Sequence, residues 1–106
     1  MTPTARSLAE LRRLGWTGEV VEKWIPQAKI RRDLFGIFDI VAITPDGLLG
    51  IQCTSGSNHA SRVHKVQESD ALPKWLGAGC HAEVWSWSKR GERGKRKLWV
   101  LRREEL

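Results

Sequence analysis

Two short apolar runs joined by a tight turn constrain this chain more than any other feature: Gly36-Ile37-Phe38-Asp39-Ile40-Val41-Ala42-Ile43 and Gly50-Ile51-Gln52-Cys53-Thr54. Runs of this length, rich in β-branched and apolar residues, read as a pair of buried strands. Pro45-Asp46-Gly47 supplies the reversal, with Asp-Gly as the hairpin signal. If Asp46 and Gly47 form the loop, Pro45 faces Leu48, Asp39 falls opposite Thr54, and Val41 falls opposite Gln52. Side chains alternate with period two, so Asp39, Gln52 and Thr54 then share one face of the sheet. Hairpin folding has no use for an acid at the mouth of an apolar strand. A hard divalent cation does, because it takes oxygen ligands from a rigid scaffold.

Around this hairpin the remaining elements follow from their punctuation. Thr2-Pro3 is a good helix start, Leu8, Leu11 and Leu14 make an apolar stripe, and Gly15 ends it. A second helix is predicted from Thr17 to Trp24, stopped by Pro26. Lys29 to Phe35 reads as a charged strand near a sheet edge. Ser55-Gly56-Ser57-Asn58 breaks the sheet and caps a helix reaching about Ser69, and Leu72 to Leu76 adds a helical turn. His81 to Ser88 and Lys97 to Arg103 alternate as two further strands. The expected order is helix, helix, three strands, helix, two strands.

A chain of 106 residues, 41% hydrophobic with six Trp, is one domain with a single modest core. No run approaches the roughly 18 consecutive apolar residues of a membrane span, and no signal peptide is recognisable, so a cytoplasmic protein is expected. Cys53 and Cys80 are too few for a disulfide framework, and they do not sit at zinc-ligand spacing with His59, His64 or His81. Eighteen Lys and Arg against twelve Asp and Glu give a net charge of +6, which favours a polyanionic partner, nucleic acid ahead of an acidic membrane.

The pattern Gly36-x-x-Asp39, apolar strand, turn, apolar strand, Gln52-x-Thr54 resembles the PD-(D/E)xK nuclease superfamily. It is closest to the small Holliday junction resolvases and the virus-type replication-repair nuclease domains, some of which carry Gln at the second acidic position. The resemblance runs from about Glu19 to Val66, and the rest fits by length and element order. It implies an α/β (α+β) fold with a restriction-endonuclease-like αβββαβ core: a central mixed sheet flanked by helices, with an extra C-terminal strand. It also implies a Mg²⁺- or Mn²⁺-dependent endonuclease acting on branched or structured DNA, a phage or prophage origin, and a homodimer, since a junction has near two-fold symmetry. The chain departs from the family at one motif position, where Thr54 stands for lysine.

On this reading Asp39 holds the cation against the scissile phosphate. Gln52 offers its side-chain carbonyl, and Cys53 its backbone carbonyl as in the family. The superfamily often adds a helical glutamate; Glu22 flanks the apolar face of the predicted second helix while Glu19 points away, so Glu22 is chosen, with Asp33 in reserve. The missing lysine needs a substitute. His59, Arg62 and Lys65 recur every three residues beside a stripe of Ala60, Val63 and Val66, and Lys65 is assigned the role, with Arg62 as a phosphate contact. Thr54 is left to bond a phosphate oxygen or a water, and Ser55 and Ser57 to meet an anion at the helix start. The basic loop with Lys89, Arg90, Arg93, Lys95 and Arg96 is suited to track a DNA backbone. The alternative is a DNA-binding protein on the same fold whose catalytic chemistry has been lost.

Overall fold

The computed structural model describes residues 1–106. Helix α1 (Pro3–Leu14) starts and stops as its end residues dictate. The Thr2 hydroxyl accepts from the Ala5 N–H at 3.1 Å, and Gly15 at φ 78° terminates the helix. Gly15 and Trp16 N–H groups return to the Arg12 and Leu11 carbonyls, the paired bonds of a Schellman stop.

The predicted second helix does not form. Thr17–Val20 is strand β1, and Lys23–Ile25 (β2) pairs with Ile30–Arg32 (β3) in a separate two-stranded ribbon. Gly18 and the β-branched Thr17, Val20 and Val21 are poor helix formers, and a strand can use them where a helix cannot. Gly18 also has a packing reason: a Cβ there would lie 2.5 Å from Leu11 Cδ1, so glycine lets α1 settle onto the strand. The expected strand from Lys29 to Phe35 shrinks to β3 and lies outside the main sheet. After it the chain makes a tight loop closed by a Leu34–Phe38 bridge, with Phe35 at φ 56° and Gly36 at φ 75°.

The central hairpin is β4 (Ile40–Thr44) and β5 (Gly47–Ser55). Its register differs from the expected one by two residues. Thr44 faces Gly47, so Pro45 and Asp46 form the loop, and Val41 faces Gly50 rather than Gln52. Proline suits the second position of a four-residue turn and glycine the fourth, which outweighs the Asp-Gly signal. Thr44 Oγ1 reinforces the turn, accepting from the Asp46 N–H and donating to the Gly47 carbonyl. A slip of two preserves side-chain parity, so the assignment of faces survives.

A 3-10 turn (Gly56–Asn58) leads into α2 (His59–Gln67) and then α3 (Ala71–Gly77), which carry the chain to β6 (His81–Arg90); β7 (Leu98–Glu105) follows. The main sheet has the order β1-β4-β5-β6-β7, antiparallel except for β5 and β6. A parallel pair needs a crossover, and the two helices supply it. The result is an α+β fold with a five-stranded mixed sheet. Leu11 of α1 packs with Ile40, Ala42, Leu49, Ile51, Cys53 and Trp85. Val63, Val66 and Leu72 of α2 and α3 pack with Phe38, Ala82 and Val84. Both cysteines are free, and no helix is long and apolar enough to cross a membrane.

Candidate metal centre

Asp39 lies where the β4 ladder stops. Its backbone N–H still donates to the Ile51 carbonyl at 2.9 Å, and its own carbonyl accepts from Val21 at the end of β1. The next donor along that edge of β5, the Cys53 N–H, finds no backbone acceptor and takes Asp39 Oδ2 at 2.8 Å. The carboxylate thus completes the ladder and joins β1, β4 and β5 at one point. In a strand the N–H and C=O of one residue point to the same edge, so the Cys53 carbonyl is directed toward Asp39 as well.

Glu22 and Asp33 arrive there by the β2–β3 ribbon. Lys23 pairs with Arg32, so the residues flanking that pair, Glu22 and Asp33, stand across the ribbon's open mouth. Ligand oxygens of Glu22, Asp33 and Asp39 lie within 4.8 Å of one another. Glu22 therefore joins the cluster from a loop, and not from the helix that the sequence suggested. Asp33, the reserve candidate, sits at the centre of the bonding network.

Gln52 does not present its carbonyl oxygen to the carboxylates. Its Nε2 donates to Asp33 Oδ2 at 3.1 Å and to the Ile37 carbonyl at 2.6 Å, while Oε1 accepts from Arg62 Nη1 at 3.0 Å. Two acceptors on one end and a guanidinium on the other fix the amide's orientation. Gln52, fully buried, is thus a brace for Asp33 and the 33–39 loop. Lys65 Nζ reaches Asp33 Oδ2 at 3.2 Å from α2, so a cation does stand at the cluster although Thr54 carries none. Arg62 is half-buried and turned inward onto Gln52, not free on the surface.

The electrostatics follow from crowding three acids. Burial, reinforced by the neighbouring Asp33 carboxylate, pushes the Asp39 carboxyl up to about 8, against the lowering effect of the Cys53 N–H. Asp33 shifts the other way. Burial acts to raise it, but hydrogen bonds from Asp39 and Gln52 and the Lys65 ammonium outweigh that and lower its pKa. One proton thus stays on Asp39 while Asp33 is ionised. Arg31 bonds Glu22 at 3.0 Å and Lys65 bonds Asp33, so the proton on Asp39 is the charge that a hard divalent cation would replace in this oxygen set.

The other expected site residues lie apart. Thr54 is buried on the α2 face, with Ser86 beside it in the β5–β6 register. Ser57 bonds Ser55 at 3.2 Å in the exposed turn before α2. Burial pushes the Cys53 thiol up to about 12, so only its backbone is available to the cluster. Lys89 and Arg90 end β6, and Arg93, Lys95 and Arg96 occupy the exposed connection to β7. The expected cation row of α2 is corrected at its first member: His59, with Val63 and Val66, forms the buried stripe, and Ala60 is exposed. His59 bonds Ser86 and Glu104, a buried chain that the three-residue recurrence concealed. An i, i+4, i+7 spacing of His59, Val63 and Val66 was the signal for it. No protein-family model, curated protein or solved structure matches this chain.

Proposed function

We propose that this chain is a divalent-cation-dependent endonuclease of the PD-(D/E)xK type, acting on branched or structured DNA. The observation that carries the reading is the convergence of Glu22, Asp33 and Asp39 within 4.8 Å at the end of the central hairpin. These three carboxylates, with the Cys53 carbonyl, would hold Mg²⁺ or Mn²⁺. Such an ion, when bound, would polarise a phosphoryl group and acidify water. Lys65, half-exposed and bonded to Asp33, would hold a phosphate oxygen, the part that the superfamily the chain resembles gives to a lysine where this chain has Thr54. Gln52 and Arg62 keep Asp33 in position from beneath. The strand-end backbone and the ribbon mouth already bring these groups together, which reduces the reorganisation needed when a phosphate arrives. The net charge of +6 and the basic connection from Lys89 to Lys97 supply phosphate-backbone attraction. A two-fold junction and so small a domain make a homodimer part of this reading, and sedimentation of the pure chain alone and with a four-way junction tests it.

A nicking assay on four-way, flapped and linear DNA with Mg²⁺ or Mn²⁺ decides the central point. Cleavage that disappears in Asp39→Ala, with DNA binding largely kept, supports the assignment; cleavage that survives the substitution refutes it. A second reading, a DNA-binding protein without catalysis, is favoured by one observation. Gln52 turns its amide nitrogen, not its oxygen, toward the carboxylates. DNA binding with neither metal binding nor nicking would select it.

A further inference from the structure

Beyond the start of α2, alternate residues of β6 and β7 build a second polar site. Ser86 stands opposite Arg102 and Ser88 opposite Val100 in the antiparallel register. With Arg90 and Gly56 they line a cleft of about 80 Å³, the volume of a few water molecules and too small for a nucleobase. Gly56 keeps the cleft open, since a Cβ there would fall 1.8 Å from Ser88 Oγ.

Behind the cleft, His59 is only 3% exposed. Its Nδ1 lies 2.6 Å from Ser86 Oγ and its Nε2 lies 2.8 Å from Glu104 Oε1. An ionised carboxylate only accepts, so Nε2 carries hydrogen in either charge state. In the neutral ring Nδ1 must then accept the Ser86 hydroxyl hydrogen, and Ser86 offers the cleft nothing but lone pairs. In the imidazolium Nδ1–H donates to Ser86 Oγ, and the hydroxyl hydrogen is released to point into the cleft. The charged groups around His59 are Glu104 on β7 and, 3.5 Å from Glu104, Arg102; the facing group on β6 is the neutral Ser86. Arg90 makes no ion pair, and Arg102 commits one nitrogen to Glu104, so guanidinium donors remain for a ligand.

We propose that this cleft binds one tetrahedral oxyanion of the phosphate class, held by Arg90, Arg102 and Ser88, and by the Ser86 hydroxyl where His59 Nδ1 carries the hydrogen of their shared bond. The inference is independent of the metal-centre reading. It has a geometric consequence for it, because Thr54 pairs with Ser86 on one side of β5 while Cys53 bonds Asp39 on the other. The cleft and the carboxylates thus lie toward the same end of the sheet, on opposite sides of β5. A nucleic-acid backbone phosphate and a free phosphate present the same chemistry here.

The test is an NMR titration of the intact chain with sulfate at one fixed pH near neutrality. Saturating amide shifts at Ser86, Ser88, Arg90 and Arg102 are expected. The exposed-residue variants Arg90→Ala and Arg102→Ala should each weaken binding roughly ten-fold, the loss of one charge-assisted contact. A metal-free titration with duplex DNA identifies the source. Affinity lowered in Arg90→Ala points to a backbone phosphate, and affinity unchanged while sulfate binding is lost points to a free oxyanion. Non-saturating shifts scattered over basic side chains, or arginine variants that bind as the parent does, would overturn the proposal.

Discussion

Asp39 completes a β-ladder with the same carboxyl group that joins a cluster of acids, and these two uses act on different protonation states. Its backbone partner favours the anion, whereas burial and Asp33 favour the acid, and the balance leaves it at about 8. The folded chain therefore holds a proton that the unfolded chain releases near the ordinary carboxylate value. Between about pH 4 and pH 8 the folded state binds more protons than the unfolded one, so metal-free stability falls as pH rises across that window and levels off above it. Asp39→Asn keeps an acceptor for the Cys53 N–H and has no proton to lose. It is expected to be more stable than the parent by about 1–3 kcal/mol at pH 8, with the difference vanishing below about pH 4. Urea unfolding across the pH range measures this, and a parent curve that rises from pH 5 to pH 8 would contradict it. Gln52→Leu tests the brace. It leaves Arg62 and the Ile37 carbonyl without their Gln52 partner and removes one of the bonds to Asp33, and a loss of about 2–4 kcal/mol is expected. A change within about 0.5 kcal/mol would show that Gln52 supports nothing.

At the scale of elements, Gly50 ties the hairpin to the carboxylate loop. A Cβ at that position would fall 2.6 Å from the Phe38 ring, which is completely buried between β5 and α3. Gly50→Ala should cost about 1–3 kcal/mol of overpacking. By displacing the 33–39 loop, it should also weaken divalent-cation binding, although residue 50 touches no carboxylate; thermal melts and a Mn²⁺ titration of the variant check both. Much of this level was readable in the chain itself. Thr2, Pro3 and Gly15 mark α1 correctly, and alternation assigns Asp39, Gln52 and Thr54 to one face even though the turn lies one residue, and the register two, from where Asp-Gly points. What failed was Thr17 to Trp24, where a plausible helical wheel hid Gly18, whose missing side chain matters only once Leu11 of α1 packs on it. Glu22 was then selected for a reason the structure does not support. Its neighbour across the ribbon, Asp33, could not be ranked without the Lys23–Arg32 pairing. Gln52 was legible as a site residue but not in its direction, because that depends on Arg62 and the Ile37 carbonyl, distant in sequence.

For the whole molecule, the chemistry-bearing side chains gather at one end of the sheet, with the carboxylates at β4 and β5 and the Ser86–Arg102 cleft at β6 and β7. The exposed basic connection follows from the same hairpin. Removing Arg93 and Arg96 together should leave the fold untouched and reduce the slope of log affinity for DNA against log salt by about 1–2, uniformly across sequences. An unchanged slope in fluorescence anisotropy would exclude that loop from the interface. The central claim, that Glu22, Asp33 and Asp39 are a cation site, is tested most directly by calorimetric titration of the metal-free chain with Mn²⁺ near pH 7 in two buffers of different ionisation enthalpy. The account predicts saturable binding with release of about one proton per ion, the one retained by Asp39, and loss of both in Asp39→Asn. Absence of binding at millimolar Mn²⁺, or binding that releases no proton and survives that substitution, would contradict it.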